Sequence, residues 1–333
     1  MAKVVRFHEF GGPEVLRLDE VDVGDPGLGE VRIRVGAFGL NRVETYFRSG
    51  GFMPPDTLPA KIGYEAAGVI EAVGPGVTQW SPGDRVAALF GLLMDKYGTY
   101  GEQIVYPADM LVPVADGQSL TQAAASWMQY GTAYALIDLG HVKAGDAVVI
   151  NAASSSVGLA AIQIANAEGA TPIAVTRGRG KAEALKALGA AHAIVSDEED
   201  VAARIMEITG GKGADIAFDA VAGQPLAALL SAMAPRGTVI VYGMLAGYSV
   251  ELMLPLLMQG NLALHGFAAD RLIKDAADRA KVVDYIAMGL ASGALKPVVD
   301  RTFDISEIVE AHRYLESNVQ LGKIVVTTST AGE

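Results

Sequence analysis

The pattern of apolar and polar positions changes character once along the chain, near Leu120. Before that point, short β-branched runs at 3–7, 16–21, 31–37, 66–73 and 85–89 alternate with turn clusters rich in glycine and proline. Those clusters are G-G-P at 11–13, D-P-G at 25–27, G-P-G at 74–76 and S-P-G-D at 81–84. Strands this short and this often interrupted predict a barrel-like β domain over residues 1–122. From 121 to 139 the apolar residues recur at helical spacing, and strand and helix signals then alternate. Strands are expected at 147–151, 171–176, 192–196, 214–219, 237–242 and 261–265, with intervening helices that stop at glycines such as Gly169 and Gly189. Six strands separated by helices predict an α/β domain over 123–266, built on a doubly wound parallel sheet. An amphipathic helix at 276–289 follows. The strand-like tail then folds back, so that 267–333 completes the first domain.

One stretch inside the second domain has a chemical consequence. The run 146–168 passes from a buried strand through the small-residue turn A-S-S-S-V-G into an apolar helix. Strand, tight turn and helix open a dinucleotide-binding unit, in which backbone N–H groups approach a pyrophosphate at a helix N-terminus. Only Gly158 matches the last glycine of the usual G-x-G-x-x-G; Ser155 and Ser156 stand where glycines are expected. The loop alone therefore reads equally as an ordinary strand-to-helix turn.

Composition narrows the classes. The chain has 333 residues, 51% of them hydrophobic and 19% charged, enough for two cores and too apolar for a disordered chain. A net charge of -12 argues against nucleic acid and anionic membrane surfaces as partners. No uncharged apolar run is long enough to span a bilayer, and the alternating start M-A-K-V-V-R-F lacks a signal-peptide core, so a cytoplasmic protein is expected. With no cysteine there are no thiolate ligands or nucleophiles, and the five histidines are scattered without ligand spacing. A metal-free site follows.

The end of the second strand of the α/β domain bears on cofactor choice. An NAD site wants an acid there for the ribose hydroxyls. This chain reads A-V-T-R-G-R-G-K at 174–181, with no acid between Glu168 and Glu183. Arg177, Arg179 and Lys181 at a helix N-terminus are electrostatically disfavoured unless an anion binds them, which favours NADPH over a solvated basic loop. Thr176 and, at the end of the third strand, Ser196 belong to the same edge. Val221, Tyr242 and Gly243 follow the next strands at their carboxyl ends.

The whole chain resembles the medium-chain dehydrogenase/reductase superfamily, in its zinc-free quinone oxidoreductase (zeta-crystallin-like) branch. The resemblance rests on G-L-N-R-V-E-T-Y-F-R-S-G (39–50), G-Y-E-A-A-G-V-I-E-A-V-G (63–74), W-S-P-G-D-R-V (80–86), Y-G-T-A-Y (130–134), the 153–158 loop and L-G-K-I-V-V (321–326). It implies a GroES-like substrate domain, a Rossmann domain, NADPH and a homodimer joined through the last Rossmann strand. The branch usually has A-S-G-G-V-G in the loop, where this chain has A-S-S-S-V-G. Zinc alcohol dehydrogenases place Cys at the position of Asn41 and His at that of Tyr64.

The resemblance implies roles for individual residues as well. It puts Asn41 and Tyr46 at the nicotinamide, Tyr64 beside them as a third candidate catalytic residue, and Thr132, Ser154 to Ser156, Val157, Gly158 and Lys323 at the cofactor. Tyr46 and Tyr64 read equally as packing residues with a wet hydroxyl, Thr132 as a helix-interior hydroxyl, and Lys323 as a solvated lysine. The implied activity is zinc-independent hydride transfer from NADPH to a small quinone or an α,β-unsaturated carbonyl. The alternatives are a 2-enoyl thioester reductase and a non-catalytic NADPH-binding protein.

Overall fold

A computed structural model describes residues 1–328; the last five residues of the tail expected to complete the first domain lie outside the described residues. The chain divides into two compact units. One comprises Met1–Met128, Asp270–Val283 and Pro297–Glu333; the other comprises Gln129–Ala269 and Asp284–Lys296.

The second unit is built on a six-stranded parallel sheet. Taken in chain order its strands are Ala147–Ile150, Thr171–Thr176, His192–Val195, Ala214–Asp219, Met233–Val241 and Ala263–Gly266. Their order across the sheet is third, second, first, fourth, fifth, sixth, the doubly wound order of a dinucleotide-binding sheet. Helices cover both faces of such a sheet, so its central strands read as unbroken apolar runs. Val148, Val149 and Ile150 of the first strand are fully buried and pair on both sides, with the second and fourth strands. The core gathers around Val149, Ile173, Ile194, Ala217 and Val239, one from each of the first five strands. The first and fourth strands mark the point where the strand order reverses. Connections leave there in opposite directions and open a crevice at the carboxyl ends.

The first unit is β-rich, as the turn punctuation predicts. Its larger sheet contains Glu30–Gly39, Glu65–Val73, Arg85–Ala88, Gln103–Pro107, Leu111–Pro113, Val299–Asp304 and Lys323–Thr327. The strands 103–107 and 111–113 escape the polarity reading because they are short and carry little alternation. The closing strand pairs antiparallel with the end of Glu30–Gly39, with Val325 opposite Gly39. On its other side Gly39 lies opposite Glu65. Three chain segments far apart in sequence therefore meet at Gly39. A Cβ there would sit 2.4 Å from the Ala124 carbonyl, 2.6 Å from Lys323 Cε and 2.8 Å from Glu65 Oε1, so only glycine fits.

The single helical run expected over 121–139 is instead three short helices, Leu120–Ala123, Trp127–Ala133 and Ala135–Asp138. The break follows from i→i−3 hydrogen bonds, Ala125 N–H to Gln122 and Ser126 N–H to Ala123, which overtighten the turn. The helix expected at 276–289 is present as Ala276–Ser292. No helix among the described residues is long and apolar enough to cross a membrane.

Candidate active site and cofactor edge

The helix Arg42–Ser49 starts where the strand Glu30–Gly39 ends, and Asn41 is its N-cap. The spacing Asn41-x-x-Glu44 is that of a capping box: the Glu44 side chain reaches back to the Asn41 N–H, Oε2 accepting at 2.6 Å. The far end of the helix is fixed through Arg48, which is buried. Its guanidinium donates to Glu316 Oε1 at 2.5 Å, to His312 Nδ1 at 2.8 Å and to the Gly11 carbonyl at 3.1 Å. His312 is held neutral, its pKa pushed down to about 3 by burial and by the neighbouring Arg48 and Arg42. Arg42 donates to the Leu315 carbonyl at 2.8 Å. The segment carrying Asn41 and Tyr46 is thus clamped at both ends.

Asn41 sits among charged groups. Its Nδ2 donates to Glu44 Oε1 at 3.1 Å and lies 3.4 Å from Glu65 Oε1, while its Oδ1 accepts from Lys323 Nζ at 2.7 Å. Lys323 also forms an ion pair with Glu65, with Lys323 1% and Glu65 0% exposed. Glu65 Oε2 accepts from the Met128 N–H at 3.0 Å. Both ends of the Asn41 amide are therefore bonded to buried partners. Lys323, read from the sequence as a cofactor contact or a solvated lysine, is neither solvated nor exposed here: its ammonium is spent on Glu65 and Asn41.

Tyr64 follows Gly63 and precedes Glu65. Its N–H donates to Glu44 Oε1 at 3.0 Å, and its half-buried phenol is pushed up to about 12 by burial and by the carboxylates of Glu44 and Asp270. Tyr46 is half-buried on the clamped helix. Phe47 is core, meeting Phe7 edge-on at 5.6 Å, whereas Phe52 and Met53 are exposed.

Among the described residues no group of three or more His, Cys, Asp or Glu is arranged to hold a metal ion. At the two positions where zinc alcohol dehydrogenases carry Cys and His, this chain has an amide (Asn41) and a phenol (Tyr64), and the neighbouring carboxylate, Glu65, is already matched by Lys323. This donor set does not fit zinc. It lacks thiolate and imidazole, and a dication beside a buried ammonium is repelled.

In the other unit, the first strand of the parallel sheet ends at Ile150. Asn151 Nδ2 then donates to Asp219 Oδ1 at 2.8 Å, tying the carboxyl ends of the first and fourth strands together. Asp219 is buried, which raises its pKa, and it accepts from the N–H groups of Val221 and Ala222 at 3.2 and 2.7 Å. Ser155 caps the helix Ser156–Ala167, its Oγ accepting from the Gly158 N–H at 3.0 Å. Ser155 has φ -71°, an ordinary extended conformation, so serine serves where the family's glycine is expected. Gly158 has no such freedom, since a Cβ there would lie 2.6 Å from the Ala153 backbone.

The groups read from sequence as cofactor contacts collect along this edge. Lys181 Nζ donates to Ser154 Oγ at 3.1 Å. The Ser196 N–H donates to the buried Thr176 carbonyl at 2.9 Å, and Arg177 is exposed. Tyr242 stacks on Phe218 at 4.1 Å, and its buried hydroxyl lies near Ser155 without a well-formed hydrogen bond. Gly243 is pressed against Ala220, where a Cβ would come 2.6 Å from the carbonyl. Val221 is half-buried and Thr132 buried on the helix Trp127–Ala133. Glu198 pairs with Arg179, Nε to Oε2 at 3.1 Å. Nothing in the local sequence signals that pairing, because Glu198 is on another loop. Glu44, by contrast, could have been found from its capping-box spacing.

Comparison with known proteins agrees with this arrangement. Residues 27–116 match the family model described as alcohol dehydrogenase GroES-like domain, and residues 156–285 the model described as zinc-binding dehydrogenase. A quinone oxidoreductase of Pseudomonas aeruginosa is 34% identical, covering 98% of this chain and 99% of its own. The chain belongs to the medium-chain dehydrogenase/reductase superfamily, in its quinone oxidoreductase branch. A 2-haloacrylate reductase of a Burkholderia species is 33% identical over 98% of each chain. The crystal structure of an Escherichia coli quinone oxidoreductase complexed with NADPH superposes with a TM-score of 0.89, at 30% identity, covering 98% of this chain and 99% of that one. This member of the branch is an oxidoreductase, and its fold is the GroES-like and Rossmann pair expected of it.

The buried ion pair leads to a stability prediction. Lys323→Met leaves Glu65 buried and uncompensated and should cost about 3–5 kcal/mol. Adding Glu65→Gln should return part of that loss, because the uncompensated charge is gone. Denaturant unfolding of both single variants and the double variant measures the effect; a double-variant loss equal to the sum of the two single losses would show that the groups are not coupled.

Proposed function

We propose that this protein is an NADPH-dependent reductase that works without zinc and adds hydride to a quinone or to the β-carbon of an α,β-unsaturated carbonyl. Residues 1–122 with 267–333 serve the acceptor, and 123–266 the cofactor. The observation that carries the reading is the edge at the reversal of strand order. Capped helix, glycine-only contact and orphaned Tyr242 hydroxyl gather there, beside the cations Arg177 and Lys181. The NADPH bound to the Escherichia coli relative supports the same choice.

These residues fit a phosphorylated dinucleotide. The N-terminus of the 12-residue helix Ser156–Ala167 offers N–H groups and favourable dipole charge to a pyrophosphate. Ser154 to Gly158 would hold it, with Val221, Tyr242 and Gly243 alongside. Arg177 and Lys181, with Thr176 and Ser196, would hold the ribose phosphate. When bound, the nicotinamide supplies the hydride.

The remaining chemistry falls to side chains. Charge developing on the acceptor oxygen needs a positioned donor. The Tyr64 phenol, with its pKa near 12, keeps its proton on Oη at neutral pH, so it donates and does not act as a base. Tyr46 offers a second phenol. Asn41, bonded at both ends, orients rather than donates. The lack of a thiolate–imidazole donor set and the Lys323–Glu65 pair support a metal-free site. The relative named for 2-haloacrylate favours acceptors with an activated C=C bond. The reading is of a cytoplasmic enzyme acting on a small molecule.

The test is a turnover screen of purified protein with NADPH against quinones, enones and 2-enoyl thioesters, with and without a zinc chelator. NADPH oxidation with a quinone or enone, unchanged by chelation, is expected. Turnover of thioesters alone would give the enoyl-thioester alternative, no turnover a cofactor-binding protein, and loss on chelation a zinc enzyme.

Fluorescence titration should show NADPH binding more tightly than NADH by about 1–3 kcal/mol, the strength of charge-assisted hydrogen bonds to a phosphate. Arg177→Ser should narrow that gap; equal affinities in the wild type would remove the argument from Arg177 and Lys181.

The strand Ala263–Gly266 pairs with Met233–Val241 on one side and is last in its sheet. The nearby Leu254–Gly260 helix buries none of its residues, and Tyr248, Met253, Leu254 and Met258 are exposed. An open edge beside apolar surface suits a two-fold mate that extends the sheet. Light scattering should find a dimer, and a monomer for Ala263→Pro; a monomeric wild type would exclude this assembly.

A further inference from the structure

Glu44 was not among the residues that the sequence assigns to the site, yet it touches the segments that carry them. Its Oε1 accepts from Asn41 Nδ2 at 3.1 Å and from the Tyr64 N–H at 3.0 Å. Its Oε2 accepts from the Asn41 N–H at 2.6 Å and from the Tyr100 hydroxyl. Four donors converge on one side chain. Only an ionised carboxylate, which accepts and never donates, satisfies all four directly.

The surroundings oppose that ionisation. Glu44 is 0% exposed, and the Asn41 amide that it holds is shared with a second buried carboxylate, Glu65. The one ammonium nearby, on Lys323, bonds to Glu65 and to Asn41. The other titratable neighbours are the phenols of Tyr64 and Tyr100, with His312 edge-on to the Tyr100 ring at 5.9 Å and Arg48 beyond it. Burial pushes the Glu44 carboxyl up to about 7, against hydrogen bonds from Tyr100 and Asn41 that pull it down. Its charge therefore changes in the range where an intracellular reductase works.

We propose that Glu44 is a positioning residue for the reduction: its ionised carboxylate fixes the Asn41 amide, the start of the Tyr46 helix and the Tyr64 main chain in the working arrangement. Protonation converts charge-assisted bonds to neutral ones about half as strong, loosens all three segments together and slows turnover. Tyr64 keeps its own proton throughout, so the pH response belongs to Glu44. This proposal rests on the reductase reading above.

The experiment follows kcat from pH 6 to 9 with NADPH and an enone in wild type, Glu44→Gln and Tyr100→Phe, with NADPH affinity measured beside it. Wild-type kcat should rise with pH through a midpoint near 7. In Glu44→Gln, kcat should fall about tenfold or more, as for loss of one hydrogen bond to a charged group. The midpoint should vanish, and NADPH affinity should stay within about twofold of wild type, since the other unit supplies the cofactor contacts. Tyr100→Phe removes one donor without touching Asn41 or Tyr64 and should move the midpoint to higher pH. A wild-type profile in Glu44→Gln, or an unmoved midpoint in Tyr100→Phe, would overturn the proposal; if Glu44→Gln fails to fold, Tyr100→Phe decides alone.

A wild type with no NADPH-dependent turnover would refute the reductase reading instead. The charge behaviour of Glu44 is then read from stability. Because its pKa rises from 4.5 to about 7 on folding, the folded state holds the proton longer. Wild type should lose stability relative to Glu44→Gln as pH rises from 4.5 to 7, and the difference should then level off. A constant difference across that range would overturn the titration of Glu44.

Discussion

Two buried carboxylates, Glu44 and Glu65, lie against one asparagine amide with a single ammonium, Lys323, to offset them. Burying charge is tolerable only where partners and hydrogen bonds are complete, and this requirement governs the architecture around the site. Strands from residues 30–39, 65–73 and 323–327 must end in register at Gly39, which has to be glycine. The helix that carries Tyr46 must start at Asn41, and its other end is held by Arg48 against the helix Ile308–Ser317. A change in any of these contacts exposes another to an uncompensated charge. The site is therefore rigid by electrostatic necessity as well as by packing.

The same groups bear on the proposal that this relative of zinc-binding dehydrogenases works without the metal. Asn41 and Tyr64 lack the affinity of thiolate and imidazole, and Lys323 supplies positive charge next to Glu65 where a cation would otherwise be wanted. In that proposal, polarisation of an acceptor rests on the Tyr64 phenol, whose proton stays in place at neutral pH. That is weaker assistance than a Lewis acid gives, and it suits acceptors that are already electron-poor, such as quinones and activated alkenes.

On the cofactor side, the corresponding constraint is close approach of backbone. The Asn151–Asp219 hydrogen bond pins the two strand ends at the reversal of order, and Gly158 and Gly243 allow main chain to pack where no Cβ fits. The serines of the 153–158 loop are accommodated because Ser155 needs no left-handed backbone; the left-handed residue in the turn is Ala152, at φ 50°.

The sequence by itself determined the six alternating strands, the β-rich first half, the return of the tail and the family, because each is written in local periodicity, turn chemistry or contiguous motifs. It also singled out Asn41, Tyr64 and the 153–158 loop as candidates. The tertiary structure alone decided what those residues touch. Lys323 is 282 positions from Asn41, and Glu198 reaches Arg179 from a different loop; no periodicity links such partners. The helical run over 121–139 was legible as apolar but not as three pieces, since i→i−3 bonding depends on how the turn is tightened in place. The charge of Glu44 was least accessible of all. Its spacing announces a helix cap, but only its complete burial in the folded chain brings its titration toward neutrality, against the pull of Tyr100, Asn41 and Lys323.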